Sequence, residues 1–408
     1  MAGGDTCAVA GRHCAGGVAS LSLIIGSQPN SPPSWDKAMM SLTVLNSSGP
    51  EPAPATYTTK GLSLSITGPG GAAATSAPDF AAPPQLAISS ADGSLLLSMD
   101  GDGCRLFARF RGQNADGEDM EIVGSEADKP DVVLTAECVG PPVPWDSSGY
   151  GPESCAARLP TSVIGIHWFV FSLATPLKFC MELAGRPAVC GTALAHFEKN
   201  WGRTFPAGWH WAQGVNASGG HSIRGAPAGS QQPPSPPPMA PAAPRGMHAA
   251  FALAGGRLPS PLVPEKLLPD LWLLGVRTPS RSWDMHSGMD SVITAQADPC
   301  RASLLVSATQ PLMRRAVDIQ ITARPSSFAT LEGPTRSGFR PYLDESLGAF
   351  ATVRLFELRI GPSARGWVQK VLVESFEVDG AALEFGGDRR CTDREDGGVR
   401  GGDSAATE

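Results

Sequence analysis

The chain has 408 residues and a formal net charge of −7, with charged residues at only 17% against 47 Gly and 38 Pro. No basic patch is dense enough to neutralise a phosphate backbone, so nucleic acid is excluded as the expected partner. The Gly, Pro and Ala content points to a core interrupted by loops that lack the apolar groups needed to offset the entropy of ordering.

In chain order, the first thirty residues are rich in Ala, Gly and Ser, with Asp5 as their one acid and Arg12 among few bases. That composition weakly resembles an organelle transit peptide. Residues 47–84 mix Gly, Pro, Ala, Ser and Thr and are expected to form a low-complexity loop. In 104–111, Leu106, Ala108 and Phe110 alternate with Arg105, Arg109 and Arg111, the period of a half-buried strand. Asp131–Thr135 and Ile164–Leu173 are further strands. The stretch Leu159–Leu177 carries no charge apart from the neutral His167, yet Pro160, Pro176 and several hydroxyls fit a buried strand better than a membrane span.

Residues 214–247 hold eight prolines between Pro227 and Pro244 and read as a disordered, polyproline-like insertion, because proline removes a ladder donor. Strands return at Leu268–Val276, 350–357 and Val368–Val378, and the polar, Gly-rich tail 386–408 is expected to be disordered. No long amphipathic helix interrupts this series. A repeating βαβ architecture is excluded, and an all-β chain of two antiparallel barrels or sandwiches follows. The expected division is 1–165 and 166–385.

The H-E-x-x-H, P-loop and G-x-S-x-G signatures are missing, and no pair among the seven His has the spacing of a metal site, so neither metal nor cofactor is expected. Nine Cys, an odd number without C-x-x-C spacing, suggest reduced thiols.

The unusual chemistry is concentrated in 196–213, His-Phe-Glu-Lys-Asn-Trp-Gly-Arg-Thr-Phe-Pro-Ala-Gly-Trp-His-Trp-Ala-Gln. On a strand, Trp209, Trp211 and Gln213 share one face. They either fill a core, with Glu198 and Lys199 as a rim ion pair, or line a site. The pattern Glu-Lys-Asn-Trp-Gly-x-x-Phe-Pro-x-x-Trp-x-Trp-x-Gln resembles the defining motif of the tocopherol cyclase family. The likeness extends to His167-Trp168 upstream and to 351–358 downstream, covering 100–385 without the insertion; Phe169 departs from the plant pattern.

That resemblance implies paired lipocalin-like barrels, one able to hold a small apolar ligand in its mouth. It also implies closure of the chromanol ring of a prenylated benzoquinol without cofactor: an acid protonates an alkene and the phenol oxygen adds to the cation. Glu198 would supply the proton. His167, Asn200 or Gln213 would orient the quinol, and Trp201, Trp209 and Trp211 would stabilise the cation. Trp168, Lys199 and Phe205 complete the implied binding surface. A chloroplast location and a peripheral lipid or plastoglobule surface belong to the same expectation. The alternatives are a non-catalytic binder of prenylquinols or carotenoids, and a carotenoid hydratase on the same scaffold.

Overall fold

The computed structural model describes residues 3–10, 18–28, 37–46, 54–67, 86–100, 103–110, 132–145, 151–160, 165–183, 187–202, 205–216, 221–222, 248–257, 269–335, 338–361 and 368–391. The first half is one antiparallel sheet of β1 (Gly3–Ala10), β2 (Val18–Ser27), β3 (Ala38–Asn46), β4 (Pro54–Lys60), β5 (Leu64–Thr67), β6 (Leu86–Ser90), β7 (Leu95–Asp100), β8 (Gly103–Phe110), β9 (Val132–Cys138), β10 (Ile166–Leu183) and β11 (Val189–Gly202). The second contains β12 (Gly208–Asn216), β13 (His221–Ser222), β14 (Ala249–Gly256), β15 (Leu271–Arg277), β16 (Ser282–His286), β17 (Val292–Asp298), β18 (Ser303–Gln310), β19 (Arg315–Thr322), β20 (Phe328–Thr335), β21 (Gly338–Ile360) and β22 (Val368–Gly387). Short 3-10 turns at Gly151–Arg158 and Pro325–Ser327 are the helical elements among the described residues.

Connectivity alone shows that both sheets curl into barrels. The first runs β4-β3-β2-β1-β11-β10-β9-β8-β7-β6-β5, so the first strand pairs with the last and the open seam falls between β4 and β5. Those two edges are joined by residues 61–63, a link that reaches at most roughly 14 Å. An eleven-stranded sheet whose edges lie that close must roll up. The second repeats the device: β12 pairs with β22, and the seam falls between β16 and β17, joined by residues 287–291. The expected all-β, two-barrel architecture is therefore the fold, each half an up-and-down meander closed by its ends.

Three apolar cores follow from strand alternation. Leu21, Leu23, Ile25, Phe169, Phe171, Ala195 and Phe197 fill the first barrel with residues of β3 and β6–β9. Ala212, Phe251, Leu274, Val306, Ile319, Val353, Leu383 and Phe385 fill the second. Alternate residues of the same strands, among them Ile24, Trp168, Val170, Trp209, Trp211, Leu343 and Ala382, form a third core between the barrels. Strand β12 is buried along its whole length and β10 from Ile166 to Thr175, because each has one face in a barrel and the other in the interface. This double burial explains the uncharged run around His167. No helix among the described residues is long and apolar enough to cross a membrane.

Several expectations are corrected. Residues 54–67, expected in a loop, form β4 and β5, where Thr58 and Thr56 hydroxyls meet Ser41 and Thr43 across the ladder. Residues 166–202 pair with the first sheet, so the sheets divide between Gly202 and Gly208 and not at 165. Residues 214–216 complete β12, and 386–391 continue from β22 to Cys391. Within the expected insertion, His221–Ser222 form β13, which pairs with β22; the rest of the expected loop, insertion and tail lies outside the described residues.

The thiols are also not all reduced. Cys104–Cys138 bridges β8 and β9, Cys180–Cys190 bridges register partners on β10 and β11, and Cys300–Cys391 ties the β17–β18 turn to the residues after β22. Cα separations of 5.0, 4.0 and 4.9 Å reflect the close approach of residues facing each other in a ladder or turn. Sequence spacing carries no trace of that register. Cys155 is the free, exposed cysteine among the described residues.

Replacing both Cys300 and Cys391 by Ser opens a covalent loop with a sequence separation of 91. Loop-closure entropy puts the loss at about 4–5 kcal/mol. Denaturant unfolding should show it, and non-reducing peptide mapping should find the linked pair in the parent protein; equal midpoints would remove the bond.

Candidate functional site

A cavity of about 420 Å³ opens between the two barrels, not in the mouth of either. The resemblance implies a ligand in the mouth of a barrel, whereas this cavity lies outside the two apolar barrel cores. Ile24, Trp168, Glu198 and Asn200 of the first barrel line the cavity, facing Trp209, Trp211, Trp272, Phe339, Leu343 and Glu384 of the second. Phe205 and Pro206, on the link between the barrels, complete the wall, and Leu271 and Met289 are exposed at its edge.

Glu198 sits where the barrels join. Its Oε2 accepts the indole N–H of Trp168 at 2.8 Å and that of Trp211 at 2.9 Å, and His196 Nε2 lies at 3.0 Å. Indole nitrogens only donate, so Oε2 is fixed as an acceptor, and Oε1 is left to the cavity. Period two explains the set. His196, Glu198 and Asn200 share the outer face of β11, while Phe197, Lys199 and Trp201 occupy the alternate face toward the first barrel's core. The motif's Gly202 is required by close approach: a Cβ there would lie 2.4 Å from Gly165 O and 2.6 Å from Ile166 Cα.

Two further carboxyl groups face the interface from the second barrel. Glu384 on β22 is the cross-strand partner of Trp211 on β12 and of Glu345 on β21. Its Oε1 accepts the indole N–H of Trp209. Burial pushes the Glu384 carboxyl well above the usual carboxylate range, and the charges of Glu345, Glu198 and Asp344 push the same way. Burial raises Glu345 to about 7; Glu198 adds to the shift and the nearby Ser22 hydroxyl opposes it. Glu345 is fully buried, and neither carboxyl oxygen has a well-formed hydrogen bond among the described residues.

A fourth carboxylate, Glu153, lines the cavity from the kinked turn at Gly151–Arg158. Its Oε1 accepts the Trp168 backbone N–H and its Oε2 meets His167 Nδ1, each at 2.6 Å.

Of the residues the sequence singled out, Glu198, Asn200, Trp168, Phe205, Trp209 and Trp211 line the cavity. His167, Lys199, Trp201 and Gln213 do not. His167 and Trp201 are cross-strand partners that stack at 5.1 Å on the alternate face. Lys199 is buried on that face too. Gln213 shares the Trp209 and Trp211 face but lies beyond the cavity end of β12, its Oε1 without a partner among the described residues. Sequence reasoning missed Glu153, Glu345 and Glu384. The last two had a partial signal: each is a carboxylate with an apolar residue two positions away, Leu343 and Leu347 around Glu345 and Ala382 before Glu384, on the face that meets the companion barrel.

No family model matches the chain, and no curated protein matches it. Two solved structures are distantly similar. One is described as an AttH from Nitrosomonas europaea, with TM-score 0.42 and 10% identity over 95% of this chain and 92% of that one. The other is CghA, with TM-score 0.44 and 9% identity over 95% of this chain and 88% of that one.

Two outcomes are expected from this geometry. A Cβ on Gly386 would lie 2.0 Å from the Trp209 ring, so Gly386→Ala should displace the indole from Glu384 and cost about 1–3 kcal/mol of stability. Near-ultraviolet circular dichroism should register the moved indole. His210, stacked on Trp272 inside the second barrel, is lowered to about 4, chiefly by burial and then by Arg389. Its ring should therefore stay neutral in an NMR titration until about pH 4. An unfolded histidine gains its proton near pH 6.5, so this group's stabilisation is complete above 6.5 and drains away as pH falls toward 4.

Proposed function

We propose that the cleft closes the chromanol ring of a prenylated benzoquinol, as the tocopherol-cyclase-like motif suggests. The observation that carries this reading is a pair of electrostatically coupled, indole-held carboxyl groups, Glu198 and Glu384, facing one apolar cavity from opposite barrels. Such a reaction needs a proton donor, an acceptor for the phenol proton, and π faces along a water-poor wall.

Glu384, rather than Glu198, is the better acid. Burial raises its pKa and so favours the protonated form, whereas Oε2 of Glu198 is committed to accepting N–H groups. In the proposed step, Glu384 gives its proton to one carbon of the alkene, leaving a tertiary cation on the other. The phenol oxygen forms the new C–O bond at that cation, and its proton passes to Oε1 of Glu198. Bonds and charge balance, no electrons are exchanged, and the product is an isomer of the substrate. Trp168, Trp209 and Trp211 present the π faces, with Trp168 taking the part that the motif alone assigns to Trp201. Each is worth about 1–2 kcal/mol to a desolvated cation. Asn200, which lines the cavity, would orient the quinol ring.

The cavity volume of about 420 Å³ falls inside the roughly 300–1,000 Å³ usual for small-molecule sites. It would take the ring and the first prenyl units, with the tail leaving past Leu271 and Met289, where a lipid surface would deliver the substrate.

The test is incubation with a prenylated benzoquinol, and separately with a carotenoid, followed by product analysis. A chromanol is expected from the first. Glu384→Gln and Glu198→Gln should each lower kcat by about 10²–10⁴-fold while quinol binding persists. The activity should also fall as pH rises and Glu384 loses its proton. Tight binding with no product in the parent protein would favour the binder; a hydrated carotenoid would favour the hydratase.

A further inference from the structure

Glu345 is a buried titratable group that this chemistry leaves unused. It is 0% exposed, does not line the cavity, and its two carboxyl oxygens have no well-formed hydrogen bond among the described residues. A carboxyl so placed costs stability, since buried polar groups without partners are penalised. Nor does it brace a neighbour: Asp344, next in the chain and on the alternate face, takes Thr330 Oγ1 at 2.7 Å and Arg390 Nε at 3.3 Å, while Glu345 takes neither.

What Glu345 does have is position. On β21 it is the register partner of Glu384 on β22, and such pairs hold their Cβ atoms about 4.5–5.5 Å apart. From the first barrel the charge of Glu198 on β11, itself bonded to His196, reaches it, and the Ser22 hydroxyl approaches from β2. Its other ladder partner, Ala329 on β20, carries no charge. Each carboxyl of the three is within electrostatic range of the other two.

Resting on the reaction proposed above, we infer that Glu345 is a positioning residue that carries the proton from Glu198 back to Glu384 after each turnover. The balance requires such a transfer: one proton leaves Glu384 for the alkene carbon, and one arrives at Glu198 from the phenol. The resting state returns only when the second reaches Glu384. Glu345 accepts the proton from Glu198 and releases one to Glu384, ending unchanged. Its surroundings suit this passage, because the donor that approaches it, the Ser22 hydroxyl, can both give and accept a hydrogen bond as the proton comes and goes. A titration midpoint of about 7 makes both forms accessible near neutral pH.

The experiment has one arm that needs substrate and one that does not. In the first, Glu345→Gln is compared with the parent protein using a prenylated benzoquinol. The expected result is a single-turnover rate within about twofold of the parent and a steady-state rate at least about tenfold lower, seen as a burst of one product per enzyme. Equal effects on both rates, or none on either, would overturn the relay. In the second, infrared difference spectra between acid and alkaline pH follow the protonated carboxyl band. The parent should lose a band as pH rises through about 7, and Glu345→Gln should lack that component. The same band in the variant overturns the proposal. If no quinol is turned over but the band is removed, the shared-proton cluster stands and the cyclase reading falls. Should the Gln variant fold poorly, Glu345→Leu serves in both arms, since apolar groups often replace buried charges without loss of stability.

Discussion

One carboxylate oxygen joins the two halves of this protein. Oε2 of Glu198 receives Trp168 from β10, His196 from β11 and Trp211 from β12. The first two strands belong to one barrel and the third opens the other. Trp211 therefore crosses the interface to meet a carboxylate that its own barrel does not supply. Charge-assisted bonds of this kind exceed neutral ones in strength, and removing the acceptor would strand the donors in a buried site. The relative placement of the barrels, the orientation of two indoles and the exposure of Oε1 to the cavity all depend on this junction.

The junction is possible because strands near it are buried on both faces. In an ordinary antiparallel barrel one face meets the core and the other meets water. Here β10, β11 and β12 turn their outer faces toward the companion barrel, and the polar residues usual on such a face are replaced by Trp, Val, Ala and a few carboxylates with fixed partners. A cavity opens where that packing is least complete. Gly255 and Gly386 admit the rings of Trp272 and Trp209 against the backbone, so the large aromatics lie flat along its wall instead of filling it.

This geometry also decides what sequence could reveal. Half-buried strands such as β8 announce themselves by alternation, with Leu106, Ala108 and Phe110 inward and Arg105 and Arg109 outward. The motif at 196–213 was legible because its residues are rare and closely spaced. Which face each one takes was legible only in part. Period two separates Glu198 from Lys199, but it cannot say that Trp201 turns into a barrel while Trp209 turns out of one, because the link at 203–207 resets the phase between the two sheets. The boundary at 165 failed for a related reason: β10 and β11 share their apolar pattern with β12 and join the first sheet only through pairing with β9 and β1. Disulfide partners and the Glu345–Glu384 pair depend on register between distant segments, which no local pattern encodes.

A protein assembled only for stability would not place several carboxyl groups in so dry an interface. Burying a charge is costly unless it is paired, and apolar replacement of buried charges is frequently neutral or favourable. Glu198 and Glu384 each accept indole N–H donors, and Glu198 also meets His196. In so low a dielectric the charge of Glu198 bears on Glu384 across the interface. The aromatic residues of the motif thus serve two purposes with one side chain. The ring lines the cavity, and the ring nitrogen holds a carboxyl group beside it.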